Sequence, residues 1–249
     1  MNKQSKIISK ILSPALRLWL RTQVETIEGL ELKITGGDPA GTPDLRYRAD
    51  RQILGGYIPQ VALSCNTAVY EGIHVGAVQL EAENIRINIG QVMRGKPLGL
   101  LEPVTVRGKL EVDEAALNAS LQSPLLSGGL TDLLAMLLAA GGTNSENLLS
   151  AYHISWCSIT LKEDKFTLTG TLRGKGGETT PVTIRSGLSL VRVGGHHLRF
   201  HPIHIDGILE LGTFPDSLEI DLGEQVEIED LSIAPGYLSC AAIVVIISD

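Results

Sequence analysis

The chain has 249 residues, of which 43% are hydrophobic but only 4% aromatic, with a formal charge of −7 and a pI of about 5.4. That length can bury a substantial core. The core must be aliphatic, with few stacking platforms for bases or sugars, and the acidic balance argues against nucleic acid as a partner.

The charge is uneven. Residues 1–24 carry Lys3, Lys6, Lys10, Arg17 and Arg21 and no acid, a formal +5, which leaves −12 of the total −7 on the rest. Residues 3–21 are helical in pattern. At 100° per residue the five cations share a narrow arc, and Ile7, Ile8, Ile11, Leu12, Ala15, Leu16 and Trp19 fill the other side. Pro14 either restarts the helix behind a Ser13 cap or kinks it. Three roles are open. The helix packs its apolar side on a sheet, it docks on an anionic membrane, or it is a secretory signal. Lys10 and Arg17 and the lack of an A-x-A site speak against the last.

Leu30, Leu32 and Ile34 alternate with polar residues and predict a first strand. The Gly/Pro-rich stretch 36–46 predicts a loop. Val61 and Leu63 mark a strand after Gly55-Gly56. Residues 69–82 read as one long strand or two short ones, with a phase switch near Gly76–Val78 that predicts a bulge. Ile85, Ile87 and Ile89 alternate, as do Val104, Val106, Leu110 and Val112, so one face is aliphatic and the other wet.

Asp113 is a predicted N-cap for a helix ending near Pro124. Gly128-Gly129 predicts a break, with a second helix from about Thr131. Leu130, Leu133, Leu134, Met136, Leu137 and Leu138 make it apolar all round, so it is either fully buried or touches lipid. No run reaches the ~18 apolar residues that span a bilayer.

From Tyr152 the pattern is β again, with a hairpin turn in LKEDKF, strands around Leu168, Ile184 and Leu188, and a turn at Gly194-Gly195. Residues 196–206 hold four of the six histidines. His197, Arg199 and His201 face away from Leu198 and Phe200, and Pro202 shifts the phase so that Ile203 and Ile205 rejoin the apolar side. An ordinary wet face, a pH-sensitive or headgroup-contacting face and a zinc site are all open here. The i, i+4, i+7 spacing of His197, His201 and His204 has no matching carboxylate or thiolate pattern, so no metal ligand is predicted. The last strand, AAIVVII, is apolar on both faces and is expected to be covered on both. The three cysteines, Cys65, Cys157 and Cys240, are far apart, lack any CxxC and read as buried free thiols.

These patterns predict an α+β protein. A basic amphipathic helix occupies residues 1–29, and a single curved antiparallel sheet domain occupies 30–249, with a helical insert near 113–140. No Ser, His or Asp sits in an activating context such as G-x-S-x-G, so no catalytic residue and no cofactor are predicted.

The segments GGYIPQV (55–61), YEGIHV (70–75), ENIRINIGQVMRGKPL (83–98) and VDEAALNASL (112–121) resemble the LmeA family of phospholipid-binding proteins, its cyanobacterial members most of all. The resemblance extends more loosely to both ends of the chain. It implies a tubular lipid-binding fold like one half of the bactericidal permeability-increasing protein, with a strongly curved sheet wrapped around a long helix. It also implies phospholipid binding and a role in the cell envelope.

The resulting expectation is a non-enzymatic phospholipid-binding or lipid-transfer protein, peripheral on a membrane, at the cytoplasmic face rather than exported. Its partners are a phospholipid or other amphiphile and an anionic membrane surface. Ile7, Ile11, Leu12, Leu16, Trp19, Leu133, Leu134, Leu137 and Leu138 are the predicted lipid contacts. Lys3, Lys6, Lys10, Arg17 and Arg21 are the predicted membrane-surface residues. The alternative is a membrane-associated scaffold with no lipid cargo.

Overall fold

The computed structural model describes residues 24–35, 55–92, 94, 99–142, 151–207 and 214–247. The predicted basic helix over 3–21 and the loop over 36–46 lie outside the described residues.

Three antiparallel sheets account for most of what is described. The smallest joins β1 (Thr26–Glu28), β4 (Thr67–Tyr70) and β5 (Ile73–Val75) in the order β1-β4-β5. β1 falls within the residues assigned on sequence to an N-terminal helical unit ending at residue 29, so that unit is not helical to its end. The six-stranded sheet contains β2 (Glu31–Thr35), β3 (Tyr57–Cys65), β6 (Val78–Arg86), β7 (Val104–Asp113), β13 (Val226–Ala234) and β14 (Tyr237–Ile246), in the order β13-β14-β7-β6-β3-β2. The five-stranded sheet contains β8 (Tyr152–Lys162), β9 (Lys165–Gly174), β10 (Thr179–Leu190), β11 (His197–Asp206) and β12 (Leu218–Asp221), in the order β12-β11-β10-β9-β8. None of the three closes on itself among the described residues. The expected antiparallel α+β class holds.

The phase switch predicted as a bulge near Gly76 is a change of sheet. β4 and β5 form a tight hairpin whose two turn residues, Glu71 and Gly72, have φ of 49° and 74°. The chain then passes into β6 through Gly76 and Ala77, which exchange backbone hydrogen bonds with Glu111 of β7 at 2.9 Å each. A Cβ on Gly76 would sit 2.6 Å from the Glu111 carbonyl oxygen, so only glycine permits that approach.

The helices are α1 (Ile89–Val92), α2 (Glu114–Ser120) and α3 (Pro124–Ala140). Asp113 caps α2 as predicted, its carboxylate accepting from the Ala116 N–H at 2.7 Å. α2 also seals the outer edge of β8. Asn118 accepts from the Ile159 N–H and donates to the Ile159 carbonyl, both at 2.8 Å, and Glu114 accepts from the Leu161 N–H at 2.7 Å. An edge strand with its ladder groups satisfied in this way cannot template a further strand there.

α3 corrects the sequence prediction. It begins at Pro124, behind a Ser123 cap, and runs unbroken through Gly128 and Gly129. Packing overrides propensity here. The Trp156 indole N–H lies 3.2 Å from both the Ser127 carbonyl and the Thr131 hydroxyl, one turn apart, while Leu126 and Leu130 pack on the core. The main core lies between α3 and the five-stranded sheet, where Trp156, Leu168, Leu172, Val182, Ile184, Phe200, Ile203 and Ile205 meet the α3 leucines.

The histidine segment forms β11 as predicted. Phe200, Ile203 and Ile205 are buried, and the register shifts by one residue opposite Ser186 and Leu188, where Pro202 was expected to change the phase. Two expectations fail. Cys157 is exposed, because a register shift between Trp156 and Ser158 turns it away from the core, whereas Cys65 is buried and Cys240 half-buried. β14 was expected to be covered on both faces. It lies inside the sheet by backbone pairing, yet every residue of it is half-buried or exposed.

Candidate functional site

The six-stranded sheet has one wet face and one apolar face, and the cross-strand register fixes both. On the wet face Lys33, Ala62, Glu81, Arg107, Ile243 and Glu227 line up across the strands. On the other face the same registers align Ile34, Val61, Ala82, Val106, Val244 and Val226 in one row. Leu32, Leu63, Leu80, Gly108, Ala242 and Ile228 form the next, and Cys65, Val78, Leu110, Cys240 and Leu231 the third. Period-two alternation in six separate strands therefore builds one continuous aliphatic surface.

Both ends of that surface are packed in part, although Ile246, paired with Val104, is 46% exposed. At one end Ile58, Ile85, Ile87 and Val104 form a second, smaller core, with Ile89 and Leu100 against it. At the other end Val112 and Ile233 are buried at 4% and 3% exposure. The middle is more open, although Ile228 and Cys65 at its margins are buried. Leu32, Leu63, Val78, Leu80, Leu110 and Ala242 are all half-buried, and Val244 is 37% exposed. In the middle row Gly108 lies between Leu80 and Ala242, and the Leu80 side chain leans over it. A Cβ on Gly108 would come within 3.0 Å of Leu80 Cδ2. The result is a half-exposed aliphatic strip, the candidate trough, crossing the central strands.

The thiols report the same surroundings. Burial pushes the Cys65 thiol up from its ordinary value, offset in part by a hydrogen bond with the Val78 backbone. Burial, then the negative charge of Asp230, pushes the Cys240 thiol up. Thiols held in the protonated form are poor nucleophiles. Both thiols therefore add to the apolar contact of the surface.

A model of the LmeA-like phospholipid-binding family matches residues 4–243. The chain belongs to that family. No curated protein and no solved structure gives a significant match. For this LmeA-like chain the family description supplies the ligand class, phospholipid, and the structure supplies a surface of matching chemistry.

The site residues predicted from sequence fall into two groups. Ile7, Ile11, Leu12, Leu16 and Trp19, with Lys3, Lys6, Lys10, Arg17 and Arg21, lie outside the described residues. Leu133, Leu134, Leu137 and Leu138 come together on one side of α3, at 7%, 0%, 1% and 0% exposure, inside the main core. The helix is not buried all round, however: on its other side Leu125 and Met136 are 52% and 43% exposed. No single described helix is long and apolar enough to cross a membrane, and α2 and α3, which together have the composition, meet at 91°. The trough residues were each assigned to strands on sequence, but none was named as a lipid contact. The signal was present in the alternation of β3, β6 and β7. What sequence could not show is which of two apolar sheet faces a helix would cover.

Proposed function

We propose that this chain is a non-enzymatic phospholipid-binding or lipid-transfer protein that works at a membrane surface and holds acyl chains against the trough on the six-stranded sheet. The observation that carries this reading is the contrast between the two large sheets. The apolar face of the five-stranded sheet is filled by α3, whereas the middle rows of the six-stranded sheet stay half-exposed over Leu32, Leu63, Leu80, Leu110 and Ala242.

Covering a methylene contributes roughly 0.8 kcal/mol. Ten methylenes laid along the rows thus offer about 8 kcal/mol before the ordering of the chain is counted. That suffices to hold a two-chain lipid with little demand on its headgroup. The cations of residues 3–21 draw the chain to anionic headgroups, at roughly 1 kcal/mol each near the surface. In this reading the sheet wraps its cargo as a tubular lipid-binding fold, on the cytoplasmic face of the membrane. A scaffold without cargo is the competing reading.

Native mass spectrometry of the gently purified chain, with organic extraction of bound material, separates the two. The expected result is one phospholipid or similar amphiphile per chain. An empty chain that still pelleted with anionic vesicles would replace cargo carrying with scaffolding. Vesicle binding unchanged in 0.5 M salt, where the screening length falls to a few ångströms (~4 Å), would remove the electrostatic step.

A further inference from the structure

The turn between β10 and β11 brings two histidines to one carboxylate. His197 pairs across the ladder with Asp221 of β12, and the backbone carbonyl of His196 accepts from the Leu222 N–H at 2.8 Å. These pairings place both imidazoles on Asp221. His196 Nε2 lies 3.7 Å from Asp221 Oδ1, and His197 Nε2 lies 3.9 Å from Oδ2. The two rings are 4.4 Å apart, and one donor atom from each of the three residues lies within 4.8 Å of the others.

We propose that His196, His197 and Asp221 form a binding site for a divalent transition cation of the zinc class. Bonds of 2.0–2.2 Å in a tetrahedral shell put ligand atoms roughly 3.4 Å apart. The three donors therefore need to close by less than about 1.5 Å, which side-chain rotation supplies. Two imidazoles and a carboxylate suit zinc, cobalt, nickel or copper rather than magnesium or calcium. The carboxylate is oriented from behind, because Asp221 Oδ1 also accepts from the Gly223 N–H at 2.8 Å. Such outer contacts fix ligand geometry.

The neighbouring cation is already engaged. Arg199 donates to Glu219 at 2.7 and 2.9 Å, and among the described residues no lysine or arginine pairs with Asp221. Three protein donors leave coordination positions for water. The site also has a structural use. β12 has four residues and, among the described residues, is held at the sheet edge by β11 alone, and the turn before β11 is tied to the other sheet by Gly194 and Gly195, which bond Ile228 at 2.9 Å each. A cation across β11 and β12 fastens that edge beside the seam.

The test is zinc chloride titrated into the chelator-stripped full chain in competition with a chromogenic chelator. One equivalent is expected to bind. His196→Gln, His197→Gln and Asp221→Asn are each expected to weaken binding at least about tenfold. His201→Gln and His204→Gln, elsewhere on β11, are expected to leave it unchanged. The amide oxygen introduced by Asp221→Asn still accepts from Gly223, so this variant keeps its turn and tests the ligand alone. Cobalt(II) loaded in place of zinc is expected to show a visible absorption band that Asp221→Asn abolishes. A wild-type chain that takes up no zinc, or uptake that survives all three substitutions, would overturn the assignment.

Discussion

Glu111 and Tyr237 show how one hydrogen bond moves two titrations. They sit on adjacent strands on the wet face of the six-stranded sheet. The Tyr237 hydroxyl, and after it Lys109, hold the Glu111 carboxyl below its ordinary value, and the same bond pushes Tyr237 up to about 12. The consequences for stability have opposite signs. Glu111 is depressed in the folded chain, so its contribution is present above the ordinary glutamate range and is lost as pH falls through the folded value. Tyr237 is raised, so its contribution is present below the ordinary tyrosine range and is lost as pH rises toward about 12. Carboxyl-carbon NMR of Glu111 during an acid titration is expected to show its midpoint moving up in Tyr237→Phe. An unmoved midpoint would mean that Lys109, at 3.4 Å, holds the carboxylate by itself.

At the scale of elements, α3 shows where sequence reading succeeds and where it stops. Asp113, the LKEDKF hairpin and the alternation of β7 were legible because each rests on contacts within a few residues. The Gly128-Gly129 pair read as a break because its local cost is real, about 1 kcal/mol per glycine relative to alanine. The compensating contacts come from Trp156, 25 or more residues away, and nothing local announces them. The candidate trough was half legible for the same reason. Each strand displayed its aliphatic side, but the order of the strands, and hence the rows, depends on pairings such as Val106 with Val244. His196 and Asp221 are likewise neighbours only through the β11–β12 ladder. The glycine pair yields a direct check. Neither position has a positive φ, and a Cβ at either meets nothing within 4 Å. Gly128→Ala and Gly129→Ala are each expected to stabilise the chain by about 0.5–1 kcal/mol, read from the denaturant midpoint. A loss of stability in both would mean that the helix needs flexibility at this point.

At the scale of the whole molecule, two aliphatic surfaces compete for the role of lipid site, and they make opposite demands on a mutation. Against the five-stranded sheet, Leu134 of α3 is fully buried. Leu134→Ala opens a cavity, and such changes cost about 2–5 kcal/mol. If those leucines only hold the fold together, the fraction that remains folded keeps its full load of phospholipid. On the six-stranded sheet, Leu80 and Leu110 stand half-exposed in neighbouring rows on adjacent strands. A lysine there can lay its methylene stem along the surface and keep its ammonium in water, so the fold loses little. An acyl chain placed on those rows would have to cover that charge or displace it, which removes the contact that holds it. Leu80→Lys with Leu110→Lys is therefore expected to leave the unfolding midpoint within a few degrees of wild type (~1 kcal/mol), while extractable phospholipid per folded chain falls several-fold. The reverse pattern, with lipid lost in Leu134→Ala and kept in the lysine pair, would move the cargo from the open sheet to the α3 side. The two variants thus separate a surface that stabilises the protein from one whose stabilisation is completed by its ligand.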